Sequence, residues 1–473
     1  MANTHQKPHA ILIPYPLQGH VIPFVNLAIK LASKGFTITF INTQSVHHQI
    51  SKAQTDSADD IFAGARNSAL DIRYSTVSDG LPLEFDRSLN HDEFMESILH
   101  VFSDYVEELI AKIVESAVPP VTCLIADTFY VWPTTIGKKF GLINVSFWTE
   151  PALVFTLYYH MELLRNNGHF ASNDNRKDTI SYIPGVWAIE PTDLMSYLQA
   201  TDIATVVHRI IFKAFEEAKA ADIILCNTVQ ELEPETISAL QVKKPFYAIG
   251  PIFPTGFTKS SVATNLWSES DCTQWLNTKP HGSVLYISFG SYAHASKNDI
   301  VEIAKGLLLS KVNFIWVLRP DIVSSDDGDP LPEGFEEEIG ETAMIVPWCC
   351  QIEVLSHPAI GGFVTHCGWN SILESIWCRV PMLCFPLLTD QFTNRRLVVD
   401  DWRVGINLKD GKTVNADEVS EKIDRLMGGK SGEEFRKEIN EVRKVLENAL
   451  MADGSSEKNL DQFVEDLMVT IRK

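Results

Sequence analysis

Residues 359–378 read AIGGFVTHCGWNSILESIWC. An apolar run short enough for a strand meets a Gly-containing turn and passes into a helical pattern. Strand, turn and helix in that order aim free backbone N–H groups at an anion, because the first turn of a helix has donors with no intrahelical partner. Gly368 lies in the turn. Asn370 and Ser371 stand where the helix should begin and add side-chain donors. His366, just ahead of the turn, can donate to a phosphate oxygen. Glu374, one turn on, is suited to sugar hydroxyls rather than to phosphate. A pyrophosphate diester beside a ribose would use all of these groups together.

The flanks extend the same reading. Trp348 offers an aromatic plane for a nucleobase, and any base has a π-face to stack on it. Gln351, Asp390 and Gln391 supply the amide and carboxylate pairing that fixes several sugar hydroxyls. The rest of the chain alternates strand and helix patterns. His9–Pro14 is an apolar strand, the loop YPLQGH follows, then a helical stretch that Gly35 stops, then the β-branched strand Phe36–Thr43. Such βαβ units imply a parallel sheet. His91–Ser116 is expected as one long helix, and so is Pro151–Asn166. Gly250–Ser268 is rich in Pro, Gly, Ser and Thr and reads as a domain boundary. Beyond it the alternation restarts. The expectation is an α/β chain of two facing, Rossmann-like doubly wound domains: residues 1–250, a linker at 251–268, and residues 269–455.

In doubly wound sheets ligands bind outside the carboxyl ends of the strands. His20 follows a strand and opens a helix, a position that disfavours the imidazolium and suits a proton acceptor. Asp127 ends the strand Val121–Ala126 and can share that rim, where it would hold one ring nitrogen. The net charge of −21 argues against a nucleic-acid or anionic-membrane partner. No apolar run approaches membrane-spanning length, and the N-terminus lacks the features of a secretory signal. Eight cysteines without metal spacing fit a reducing, cytoplasmic setting. His357, His366 and Cys367 match no common zinc spacing.

With these residues in view, the segment Trp348–Gln391 resembles the signature box of the plant UDP-sugar-dependent glycosyltransferases, matching at W..Q, HCGWNS..ES, VPM and DQ. PLQGHVIP resembles that family's catalytic-histidine loop, and LIADTF the context of its supporting aspartate. The resemblance implies the two-domain GT-B fold, with the last helix, 456–473, crossing back onto the first domain. It implies His20 as base, Asp127 as its partner, and inversion at the anomeric carbon in one displacement. It also implies that Trp348 stacks on uracil beside the Cys349 backbone, and that Gln351 and Glu374 hold the ribose. Ser291 would touch the phosphates, and Trp369, Asp390 and Gln391 the sugar. A final Gln in the box points to UDP-glucose. Two positions depart from the family pattern: Cys349-Cys350 stand for Ala-Pro, and Arg379 for a Gly that would adopt a left-handed conformation.

The expected acceptor is a small hydrophobic plant metabolite, a flavonoid or other phenolic. Its pocket would be drawn from Phe85, Phe129, Trp148, Phe155 and Met195, with Phe392 from the second domain. No metal or other cofactor is expected, and the protein is expected to be a monomer. Carbon rather than oxygen glycosylation and a non-catalytic sugar-nucleotide or small-molecule binder remain as alternatives. A nicotinamide-dependent oxidoreductase is disfavoured, because the loop after the first strand is not G-x-G-x-x-G.

Overall fold

The computed structural model describes residues 7–54, 60–66, 68–171, 176–257, 262, 264–323, 330–411 and 413–472. Parts of the expected linker, 258–261 and 263, and Lys473 at the end of the expected C-terminal helix lie outside the described residues.

The strands of the first half are β1 (His9–Ile13), β2 (Thr37–Thr43), β3 (Ile72–Val77), β4 (Cys123–Asp127), β5 (Ile143–Trp148), β6 (Ile223–Cys226) and β7 (Phe246–Ala248). They form one parallel sheet in the order β3-β2-β1-β4-β5-β6-β7. The second half supplies β8 (Val284–Ser288), β9 (Asn313–Val317), β10 (Ala343–Val346), β11 (Ile360–Thr365), β12 (Met382–Cys384) and β13 (Gly405–Asn407). Their order is β10-β9-β8-β11-β12-β13, again all parallel. Every residue of β1, β4, β8 and β11 is buried, as expected for strands covered by helices on both faces. The chain reverses its direction of winding between β1 and β4, and again between β8 and β11, and such switch points leave a crevice at the strand ends.

Helix Gln18–Ser33 starts three residues earlier than its apolar spacing suggests, so His20 falls in its first turn. The expected helix His91–Ser116 is two helices, His91–His100 and Phe102–Ser116, broken at Val101. The Asp79–Gly80 turn packs into this break, with the Ser97 hydroxyl donating to the Asp79 carbonyl at 2.6 Å. The expected helix Pro151–Asn166 likewise divides at His160. Neither break carries a Gly or Pro, so periodicity had nothing to register. The last helix, Ser455–Ile471, buries Leu460, Phe463 and Leu467 among residues of the first sheet. Asn459 donates to the Ala248 carbonyl at 2.9 Å, and Lys34 pairs with Asp461 at 2.6 Å.

A single apolar cluster runs from Phe155 and Phe215 in the first lobe to Phe363 and Ile372 in the second. Helix Trp369–Cys378 ends on Arg379 in the left-handed conformation, φ 61° and ψ 32°. A side chain there is strained where glycine is not. Arg379 recovers little, since its one ion pair among the described residues, to Glu447 at 4.0 Å, is exposed. Arg379→Gly should therefore stabilise the protein by up to about 1 kcal/mol, read as a higher denaturation midpoint. An unchanged or lower midpoint would show that the Arg379 side chain holds something the backbone conformation does not reveal.

Candidate active site

The two switch points face each other across a cavity of about 790 Å³. From the first lobe, the register that sets Ile13 beside Ala126 brings the loop after β1 next to the end of β4. His20 Nδ1 lies 2.8 Å from Asp127 Oδ2 and 3.1 Å from the Thr149 hydroxyl. A carboxylate only accepts, so Nδ1 carries the proton and donates it to Asp127. That leaves the Nε2 lone pair for the cavity. Asp127 is fixed in turn, its Oδ1 accepting the Phe129 N–H at 3.0 Å. Thr149, one residue past β5 on the same rim, is a member of this cluster that sequence reasoning did not single out; its place after the neighbouring strand was the available signal.

From the second lobe, the turn after β11 carries His366, Gly368, Trp369, Asn370 and Ser371 to the cavity wall, and the turn after β8 carries Ser291. Two glycines press against the His366 ring: a Cβ on Gly290 or on Gly368 would stand 2.5 Å from its Nε2. Gly290 also has φ +74°, a conformation that further favours glycine. The ring is thus held edge-on between two backbones. Burial, and then the Arg319 guanidinium, lower its pKa to about 4, so His366 is a neutral donor. Arg319 is itself buried and props the loop after β8, donating to the carbonyls of Gly290 and Ala293 and pairing with Asp321 at 2.8 Å. Sequence reasoning missed it, because an arginine closing an apolar strand reads as a surface residue.

Glu374 is buried and accepts from Gln351 Nε2 at 2.7 Å, and the same amide nitrogen donates to Ser371 Oγ at 2.9 Å. Burial pushes the Glu374 carboxyl up to about 7, with the Gln351 bond acting the other way. Gln351 is therefore engaged by its neighbours, and it orients Glu374. Trp348 and Cys349 line the same end of the cavity. Gln391 folds its amide oxygen onto the N–H groups of Leu387 and Leu388 at 2.8 and 2.9 Å, which turns its amide NH2 outward. Asp390 beside it accepts from Thr389 and Asn394. Its pKa is raised by burial.

The lobes are tied through these same residues. Asn370 donates to the Gly19 carbonyl at 2.8 Å. That carbonyl is available because the residue four further on, Pro23, lies inside the helix and has no N–H to give it. Trp369 Nε1 donates to the Asn227 carbonyl at 2.7 Å, so its indole N–H is not available to a sugar. Ser196 and Thr389 exchange two bonds, of 3.1 and 2.9 Å, and Asp193 pairs with Arg395 and Arg396. The loop ending in Asp390–Gln391 is thus positioned by the first lobe.

The expected acceptor residues divide. Phe129 lines the cavity beside His20. Trp148, Phe155 and Met195 do not: they are 1%, 0% and 0% exposed and belong to the core. Trp148 donates to the Pro151 carbonyl and packs on Phe155 and Phe215. Being near a strand end does not reveal which face of the sheet a side chain takes. Phe85 and Phe392 are half-buried and stand off the cavity. The apolar wall is instead built by Tyr15, Tyr158, Tyr197, Val207 and Ile210 with Phe129. Among the described residues, no cluster of His, Cys, Asp and Glu could hold a metal ion, and no helix is long and apolar enough to cross a membrane.

Two doubly wound domains sharing one cavity, with an imidazole–carboxylate pair on one rim and His366 and the N-terminus of helix Trp369–Cys378 on the other, have the arrangement of a glycosyltransferase of the GT-B type. The family described as "UDP-glucoronosyl and UDP-glucosyl transferase" matches residues 87–442. The chain belongs to this family of UDP-glycosyltransferases. It is 63% identical to UDP-glycosyltransferase 86A1 of Arabidopsis thaliana over 98% of this chain and 95% of the relative. It is 36% identical to a 7-deoxyloganetin glucosyltransferase of Gardenia jasminoides, covering 98% of each. Among solved structures, a UDP-glucose: anthocyanidin 3-O-glucosyltransferase in complex with UDP aligns with a TM-score of 0.84 at 25% identity, over 99% of this chain and all of that one.

Proposed function

We propose that the protein is an inverting, UDP-glucose-dependent O-glycosyltransferase acting on a small, largely hydrophobic acceptor of the flavonoid or other phenolic class. The observation that carries this reading is His20 Nε2, free of Asp127 and facing a cavity whose far wall is the diphosphate cradle. An acceptor hydroxyl against His20 loses its proton to Nε2 as its oxygen bonds to C1 of the sugar. The bond from C1 to the UDP oxygen breaks on the opposite side, and an α-linked donor yields a β-glycoside. Asp127 stabilises the imidazolium that forms. The charge developing on UDP meets His366, Asn370, Ser371 and the N-terminus of helix Trp369–Cys378.

Gln391 supports glucose as the sugar. The glucosyltransferases among the similar proteins, acting by name on 7-deoxyloganetin and on an anthocyanidin, support a compact hydroxylated acceptor, as does the aromatic wall of the cavity. Because the neutralising groups are protein groups, turnover should be unchanged by a chelator. The test is incubation with UDP-glucose and a panel of phenols, reading UDP release and the anomeric configuration of the product by NMR. β-O-glucosides are the expected products. UDP-glucose binding with no transfer to any phenol, or an α-linked or carbon-linked product, would overturn the proposal.

A further inference from the structure

Glu150 lies two residues past the end of β5, between Thr149 and Pro151, and lines the cavity on the side of Phe129, Tyr158 and Tyr197. A carboxylate beside the start of a helix can accept from the free N–H groups there. Here helix Ala152–Tyr159 is capped from elsewhere: the N–H groups of Ala152 and Leu153 donate to the Glu233 carboxylate at 3.0 and 2.7 Å. Glu150 is left without that role. Its Oε2 is buried and has no hydrogen-bond partner among the described residues. Burial, and then Asp390 and Asp127, push its carboxyl well above the ordinary range, which favours the protonated, donating form. A buried carboxyl oxygen without a partner is costly, and such a cost is kept where function needs it; the residue as a whole is only partly buried and lines the cavity. No lysine or arginine stands among the described residues that line the cavity, so nothing there would neutralise an anionic acceptor.

We infer that Glu150 selects the acceptor: its carboxyl hydrogen-bonds a second hydroxyl of a neutral acceptor, so the pocket takes dihydroxy compounds over monohydroxy ones, while the lining without lysine or arginine disfavours carboxylates. This rests on the reading of the cavity as an acceptor site, but its test does not require transfer. Binding of 4-tert-butylcatechol, 4-tert-butylphenol and 4-tert-butylbenzoate to the UDP-saturated full-length protein is followed by tryptophan fluorescence.

The catechol should bind roughly tenfold tighter than the phenol, the worth of one good hydrogen bond, and the benzoate weakest. In Glu150→Leu the catechol-to-phenol ratio should fall to about one, with UDP affinity unchanged and the thermal midpoint of the ligand-free protein not lowered. Glu150→Gln, which keeps a donor and an acceptor at the same reach, should retain part of the preference. A ratio that persists in Glu150→Leu, benzoate binding as tightly as the phenol, a change in UDP affinity without a change in selectivity, or a lowered midpoint would each overturn the assignment. Failure of the catechol and the phenol to be glucosylated, with these binding ratios intact, would count against the transferase reading alone.

Discussion

His20→Ala should lower turnover with UDP-glucose by about 10²–10⁴-fold, the range that one positioned general base contributes, while UDP binding stays intact. The separation follows from the geometry. His20 belongs to the first lobe and makes its two side-chain bonds there, to Asp127 and Thr149. The Trp348, Gln351, Glu374 and His366 end of the cavity is built without it. Calorimetric titration with UDP should therefore give wild-type affinity. Asp127→Asn should show a comparable loss for a different reason. An asparagine can turn its NH2 towards Nδ1 and make that nitrogen the acceptor, which moves the ring proton to Nε2 and leaves no lone pair for the substrate. Near-normal turnover in His20→Ala would remove His20 from the proton transfer. Loss of UDP binding in the same variant would mean the two lobes are coupled more tightly than the Asn370–Gly19 bond implies.

What could be read from the chain, and what could not, divides along a physical line. Local pattern located β1, β4, β8 and β11 and the turns that follow them, because fully apolar short runs flanked by turn residues have few other fates. His20, Asp127, His366 and Glu374 were legible for that reason: each sits at the end of such a strand, in the turn after it, or in the first turns of the helix that follows. The strand order that places β1 beside β4 and β8 beside β11 was not legible, since nothing local encodes which strands pair. Residues whose role depends on a distant partner were invisible as well. Arg319 matters through Gly290 and Ala293, Ser196 through Thr389, and Asp193 through Arg395 and Arg396. The acceptor wall failed for a third reason. Phe155 and Tyr158 are one helical turn apart, yet only Tyr158 reaches the cavity, and that choice belongs to packing rather than to composition.

Glu374 carries the second large effect, and here stability and function should move in opposite directions. Its carboxyl is buried and titrates at about 7 rather than at the ordinary carboxylate value. A folded-state pKa above the unfolded one means that folding takes up a proton. The cost of the buried charge is absent below the unfolded pKa, grows as pH rises towards 7, and is constant beyond. Glu374→Gln keeps the shape and removes that cost, so the ligand-free variant should gain on the order of 2–3 kcal/mol over wild type at pH 8 and nothing at pH 4. Donor binding should go the other way. Gln351 is engaged by Ser371, Glu374 and Tyr286, so the hydroxyls of a ribose bound here would be left to Glu374. They donate best to the carboxylate, so donor affinity in the wild type should rise as pH climbs from 6 to 8. In Glu374→Ala affinity should fall by about 1.5–3 kcal/mol at pH 8, the worth of hydrogen bonds to a charged group, and the pH dependence should vanish. Titration of each variant with UDP-glucose, whose pyrophosphate diester does not ionise in this pH range, alongside thermal melts without ligand, reads both signs. If Glu374→Gln and Glu374→Ala bind UDP-glucose as tightly as wild type at every pH, the ribose is held by another group and Glu374 serves only as the anchor of Gln351.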